Sequence, residues 1–177
     1  QSKGVSAIPG TAEMFARWSE LSPGIKYIGV FSGAGHESVI RLAAEEAARY
    51  GIHLLHKVVT TDKEMLFEYK RLAPSLQGLW LIPDNRVLSA RVIKEMMSFS
   101  VRNGKQVAVF SDSILQLGGL LSVTANEKEI AVKVMQRLEQ AYRAEGIPGP
   151  DLLPLREGVV TVNGVVANRY NLNYTER

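Results

Sequence analysis

The sequence predicts an α/β fold, a Rossmann-like parallel sheet with helices on both faces. Three observations carry that prediction. Short apolar runs rich in β-formers alternate with longer amphipathic stretches, and the runs are continuously apolar rather than alternating. Gly, Pro, Ser, Asp or Asn punctuates nearly every junction between them. Strands apolar on both faces are buried on both faces, and helical crossovers between them make the sheet parallel. The 177 residues, 46% hydrophobic and 22% charged, suit a single globular domain spanning 1–177.

The elements follow in order. Thr11 can cap a helix that carries Met14, Phe15, Trp18 and Leu21, and Ser22-Pro23-Gly24 stops it. Lys26 to Phe31 is a strand, broken by Ser32-Gly33-Ala34-Gly35. The next helix places Val39, Leu42, Ala43, Ala47 and Tyr50 on one face, with Gly51 at its C′ position. Ile52 to Val59 is a second strand, and Thr61-x-x-Glu64 forms a capping box for a helix through about Leu72. Leu79 to Ile82 is a third strand, turned by Pro83-Asp84-Asn85. A helix with Leu88, Val92, Met96 and Phe99 inward then runs to Gly104. Gln106 to Phe110 is a fourth strand, stopped by Ser111-Asp112-Ser113. A helical turn, a strand Leu120 to Val123 and a long helix from Asn126 to about Glu145 complete the series. Residues 159–166 read in two ways. They form either a hairpin with an Asn163-Gly164 turn, or a strand after which Asn163 caps a helix, Gly164 to Tyr170, ending at a left-handed Asn171. Pattern alone favours the hairpin.

Composition excludes several classes. The 21 Lys+Arg against 18 Asp+Glu leave a net charge of +3, and the basic residues are interspersed with acids, so no nucleic acid is expected as a partner. There is no cysteine, hence no disulfide, thiolate metal site or cysteine nucleophile, and an oxidising compartment is allowed. No apolar run approaches the ~20 residues that cross a bilayer. The chain begins at Gln1 without a basic-then-apolar leader, and reads as a processed product or a piece of something longer.

In parallel sheets ligands sit outside the carboxyl ends of the strands. That selects three loops: Ser32 to Ser38, Pro83 to Arg86, and Ser111 to Ser113. Gly33-x-Gly35 is a fragment of a dinucleotide fingerprint, but Ser38 stands at its third position and no acid ends the second strand. There is no phosphate-binding Gly-Lys-Ser/Thr and no Gly-x-Ser-x-Gly elbow. His53 and His56 point to opposite faces of their strand and His36 stands alone, so no zinc site is expected, and a surface or loop-packing role suits His36. Small polar groups at the strand ends are what is left. Ser32 beside the N–H groups of a helix start suits a carboxylate, and Asp84 and Asp112 can accept hydrogen bonds from an ammonium group. Each acid equally suits a cap or turn. Together they predict a zwitterion site that binds without catalysis. Both carboxylates should then be exposed on the same sheet edge as Ser32.

Gly4-Val5-Ser6, Ile28-Gly29-Val30-Phe31, Pro83-Asp84-Asn85, Val109-Phe110-Ser111-Asp112, Gly118 to Val123, and Val162-Asn163 with Ala167 span nearly the whole chain. In that order and spacing they resemble the substrate-binding proteins of ABC transporters with the type I periplasmic-binding fold. Within these, the likeness is to the group called uncharacterised ABC transport system, periplasmic component. Each motif is short, and their succession is the specific part. The resemblance is to the second half of such proteins, the carboxy-terminal lobe, and implies a missing amino-terminal lobe. It places Ser32, Gly33 and Ala34 at one end of the ligand, and Asp84, Asn85, Ser111 and Asp112 on the other lining loops. It makes residues 126–146 a crossover helix and shifts the reading of the tail to Asn163 as a helix cap. The family often has Asn-Pro-Gly where this chain has Ser32-Gly33-Ala34, Asp at Asn126 and Gly at Ala131; these departures bear on ligand identity more than on fold.

The resemblance implies the solute-binding component of an ABC-type import system. It would clamp a small polar solute, amino acids among the candidates, between two lobes and deliver it to a membrane permease. The location implied is periplasmic or otherwise extracytoplasmic, with no catalytic residue, cofactor or metal. The alternative is an effector-sensing domain of a transcription regulator or receptor with the same fold, and a third reading is an enzyme holding a nucleotide at Gly33-x-Gly35. The helix 126–145 carries an apolar stripe of Ile130, Val134, Leu138 and Ala141, which without the first lobe predicts pairing of two chains.

Overall fold

The computed structural model describes residues 10–125 and 158–175. Six strands form one sheet in the order β2-β1-β3-β4-β5-β6: β1 (Tyr27–Ser32), β2 (His53–Val58), β3 (Gly78–Trp80), β4 (Gln106–Val109), β5 (Leu121–Ala125) and β6 (Gly158–Val162). The first five are parallel, and β6 runs antiparallel to β5, with Leu121 opposite Val162. The helices are α1 (Thr11–Leu21), α2 (Glu37–Ala48), α3 (Asp62–Leu72), α4 (Ala90–Arg102), the single turn α5 (Asp112–Leu115) and α6 (Gly164–Arg169). Among the described residues no helix is long and apolar enough to cross a membrane.

Each face of the sheet has its own core. Met14, Phe15, Trp18 and Leu21 of α1 and Ile40, Ala43 and Ala47 of α2 pack with Ile28, Val30, Trp80 and Val123. On the other face, Met65 and Tyr69 of α3 and Val92, Met96 and Met97 of α4 cover Phe31, Leu79, Val107 and Val109. Tyr69 is buried there between the Phe31 and Phe99 rings, and its hydroxyl meets Ser100 Oγ at 2.5 Å. Burial pushes the Tyr69 phenol up to about 12. Ser100 also donates to the Met96 carbonyl at 2.7 Å, so Tyr69→Phe strips only one bond from this pair. It should cost about 0.5–1.5 kcal/mol in urea unfolding. A loss above 3 kcal/mol would mean that the hydroxyl organises more than its partner.

Local chemistry sets the ends of the elements. Thr61 accepts the Glu64 N–H at 3.0 Å, while Glu64 reaches back to the Thr60 N–H at 2.6 Å, so the box closes one residue early. Gly51 (φ 74°) and Gly104 (φ 66°) take the left-handed turns after α2 and α4. Three expectations need correction. Thr11 is the first helical residue of α1, and Gly10, left-handed, is the N-cap. Leu42 is 59% and Tyr50 40% exposed, because α2 lies toward the sheet edge and buries only a narrow stripe. Phe99 is only partly buried, with Met97 and Ser100 inward beside it. The reading of the tail with Asn163 as a helix cap holds, and the hairpin that pattern alone favours does not form: 158–162 pair with β5, Asn163 accepts the Val166 N–H at 3.4 Å, and Asn171 ends the tail helix at φ 55°. Strand pairing with β5 satisfies a whole row of backbone groups, which an isolated two-stranded hairpin could not match. The expected helix 126–145, with the pairing based on it, lies outside the described residues.

Candidate functional site

The chain leaves β1 on one side for β2 and returns on the other for β3. The carboxyl ends of β1 and β3 therefore open a crevice, the place where such sheets take ligands. Two loops meet there. The first is Gly33-Ala34-Gly35-His36, from β1 into α2; Gly35 has φ 102°, a conformation that favours glycine. The second, after β3, is anchored by buried Leu81, Ile82, Val87 and Leu88, and turns on the Asp84 carbonyl, which accepts the Val87 and Leu88 N–H groups.

Asp84 joins the loops. Its Oδ2 accepts the Gly33 N–H at 3.0 Å and Arg86 Nη2 at 2.9 Å, and lies 3.3 Å from His36 Nε2. Its Oδ1 accepts the Arg86 backbone N–H at 3.2 Å and Nε at 3.0 Å. Two parallel N–H···O bonds make this a fork-to-fork pair. The Arg86 guanidinium, foremost, with the Gly33 amide assisting, outweighs burial and brings the Asp84 carboxyl from an ordinary 3.8 down to about 2. Gly33 leaves room for this pair: an added Cβ would stand 3.0 Å from Arg86 Nη2 and 3.1 Å from Asp84 Oδ2, so the pair would have to give by a few tenths of an ångström.

Ser32 is fully buried. Its hydroxyl lies 2.8 Å from His56 Nε2 and 2.9 Å from the Gly33 carbonyl, and its lone proton cannot serve both. Burial lowers the His56 pKa, and His36 adds to the fall while nearby Glu37 opposes it. His36 begins α2 without capping it and turns its imidazole to Asp84 instead.

The structure brings Ser32, Gly33 and Asp84 together and leaves Ala34 and Asn85 exposed beside them. Ser111 and Asp112 form a separate group just past the carboxyl end of β4, beside the start of β5. Ser111 Oγ caps α5 at the Ile114 N–H, and the exposed Asp112 accepts a 3.3 Å hydrogen bond from the buried Ser122. The expectation of two exposed carboxylates therefore holds for Asp112 and fails for Asp84, which is 6% exposed and saturated by its own chain. The anion expected at the Ser32–Gly33 loop is supplied by Asp84 itself. What faces solvent is the Arg86 guanidinium, with 58% of its side chain exposed and N–H bonds to spare.

Sequence reasoning missed Arg86, His36 and His56. Arg86 is two residues from Asp84 on a tight turn, a legible signal. The histidines were weighed only by spacing, although His56 pairs with Val30 and so shares a face with Ser32. Among the described residues no cluster of three or more His, Asp or Glu side chains could hold a metal ion.

No protein-family model matches the chain, and no curated protein sequence matches it. Solved structures do. An ABC domain from Streptococcus pneumonia, in complex with L-Trp, superposes at a TM-score of 0.77 and 16% identity. A conserved domain protein from Vibrio cholerae follows at 0.73 and 20%, and the ligand-free, open form of a substrate-binding protein with adhesive properties from Clostridium difficile at 0.62 and 18%. Each likeness covers 98% of this chain and 59% of the other. At such identities the likeness concerns architecture alone: the chain shares its α/β fold with these structures and spans about three-fifths of their length.

Proposed function

We propose that this chain is the carboxy-terminal lobe of a two-lobed, extracytoplasmic solute-binding protein that serves an ABC-type importer and its membrane permease. The solute is a small zwitterion of the amino-acid class. The observation that carries the reading is Arg86, an exposed guanidinium held in one orientation by a buried carboxylate at the mouth of the β1–β3 crevice. A guanidinium with free donors beside a helix start suits a carboxylate. Asp112, exposed on the same sheet edge, suits the ammonium end. This reverses the roles expected from sequence: the anion-binding group is Arg86, and Asp84 positions it. The fold likeness to substrate-binding proteins supports the reading, and the coverage of those chains fits a second lobe. Closure of that lobe would supply the remaining contacts and set affinity through its differential interaction with solute.

Calorimetry on the full-length protein with the common amino acids, short peptides and neutral sugars tests this. Saturable binding of an amino acid is expected, weakened about 10- to 100-fold by Arg86→Ala, the range of a lost charged hydrogen bond. Binding confined to neutral sugars, or amino-acid affinity untouched by Arg86→Ala, overturns the assignment.

A further inference from the structure

Away from the crevice, α3 and α4 lie side by side over one face of the sheet. Both connect parallel strands, so they run in the same direction and leave a trough between their outer sides. Two depressions, of about 390 and 330 Å³, make up that trough and share Lys70 between them. Its walls carry five cations, Lys63, Lys70, Arg91, Lys94 and Arg102, against one carboxylate, Glu95. The lining alone thus carries a net charge of +4, five cations less one carboxylate, against +3 for the whole chain. The floor at one end is apolar: Leu66, Val92 and Phe67, of which Phe67 is 63% exposed.

Helical periodicity produces the arrangement. Lys63, Leu66, Phe67 and Lys70 recur at i, i+3, i+4 and i+7 along α3. Arg91, Lys94, Glu95, Ser98 and Arg102 form the matching stripe on α4. Within the trough Glu95 neutralises only Arg91, at 3.5 Å, and Lys70 leans over the Phe99 ring with its Nζ 5.8 Å from the centroid. None of these residues takes part in the site at the β1–β3 crevice.

We infer that this trough is a docking surface for an acidic segment of a partner protein that carries an apolar or aromatic anchor. Charge complementarity names the sign, and the apolar floor around Phe67 names the anchor. The shape decides the class. A bilayer is flat and would touch only the ridges of the two helices, leaving both depressions empty, whereas a peptide can enter them. A polyphosphate backbone would use the cations and leave the apolar floor unused.

The test uses the full-length protein and a fluorescein-labelled peptide, EEFLEELEEF, read by fluorescence anisotropy at 50 and 300 mM NaCl. Saturable binding is expected, at least ten-fold weaker in the Lys70→Glu/Lys94→Glu double variant and several-fold weaker in Phe67→Ser. Circular dichroism confirms that these exposed substitutions leave the fold intact, and amino-acid binding at the crevice should not change. Three outcomes overturn the proposal: no binding of the peptide; binding indifferent to Phe67→Ser; or equal, equally charge-sensitive binding of single-stranded DNA or of vesicles containing 30% phosphatidylglycerol.

Discussion

Trp18→Ala is expected to lower the unfolding free energy by about 3–5 kcal/mol, the range for deleting a large buried aromatic. Trp18 has no solvent exposure and sits where α1 meets the sheet. The sheet is shaped for it: a Cβ on Gly78 would lie 2.8 Å from the indole Cζ2, so glycine in β3 makes the hollow that the ring fills. The indole N–H donates to Gln106 Oε1 at 2.9 Å, and Gln106 Nε2 donates in turn to Ser22 Oγ at 3.1 Å. Alanine would open a cavity and strand the Gln106 oxygen. Against a typical domain stability of about 5–15 kcal/mol this is a large fraction. Guanidinium unfolding followed by far-ultraviolet circular dichroism measures it, with Trp18→Phe as a milder variant if alanine prevents folding. A loss under 1 kcal/mol for alanine would show that α1 does not depend on this contact.

Asp84→Asn is expected to cost about 2 kcal/mol at neutral pH, the equivalent of moving a carboxyl from 3.8 to about 2. The amide can still accept one N–H but cannot hold the guanidinium fork and the Gly33 amide together. Because the folded pKa lies below the ordinary one, this stabilisation is complete above about pH 4 and disappears as pH falls through 2. Wild type and Asp84→Asn should therefore differ at neutral pH and converge toward pH 2, in urea titrations at each pH. A gap that persists unchanged to pH 2 would locate the effect in packing instead of charge. The same variant should weaken solute binding without touching solute, because Arg86 loses the partner that orients it. A binding loss accompanied by unchanged stability would point to direct contact between Asp84 and the solute.

Much of the architecture is legible locally. Met14, Phe15, Trp18 and Leu21 form a helical stripe, and all four are buried. Thr61 with Glu64, and Gly51 with Gly104, mark helix ends by side-chain and backbone rules that need no distant partner. The α2 face was misjudged at Leu42 and Tyr50 because periodicity gives the direction of an apolar stripe but not the width of the surface it covers. The tail was misjudged by pattern for a related reason. Asn163-Gly164 is a good hairpin turn, but the unpaired edge of β5 offers residues 158–162 a longer partner than 165–166 can.

The sequence by itself determined the alternation of strands and helices, the parallel sheet, and the loops at the carboxyl edge where a ligand would sit. It does so because hydrophobic periodicity and capping act over a few residues. Only the tertiary structure decided which charges meet. Gly33 and Asp84 are 51 residues apart, and they touch because the order β2-β1-β3 sets the ends of β1 and β3 side by side. That contact turns an expected ligand-binding carboxylate into an internal anchor and hands the exposed role to Arg86. The cations of α3 and α4, dispersed along the chain, likewise gather only when the two helices lie together. Electrostatic partners are chosen by distance in space, which spacing along a sequence does not encode.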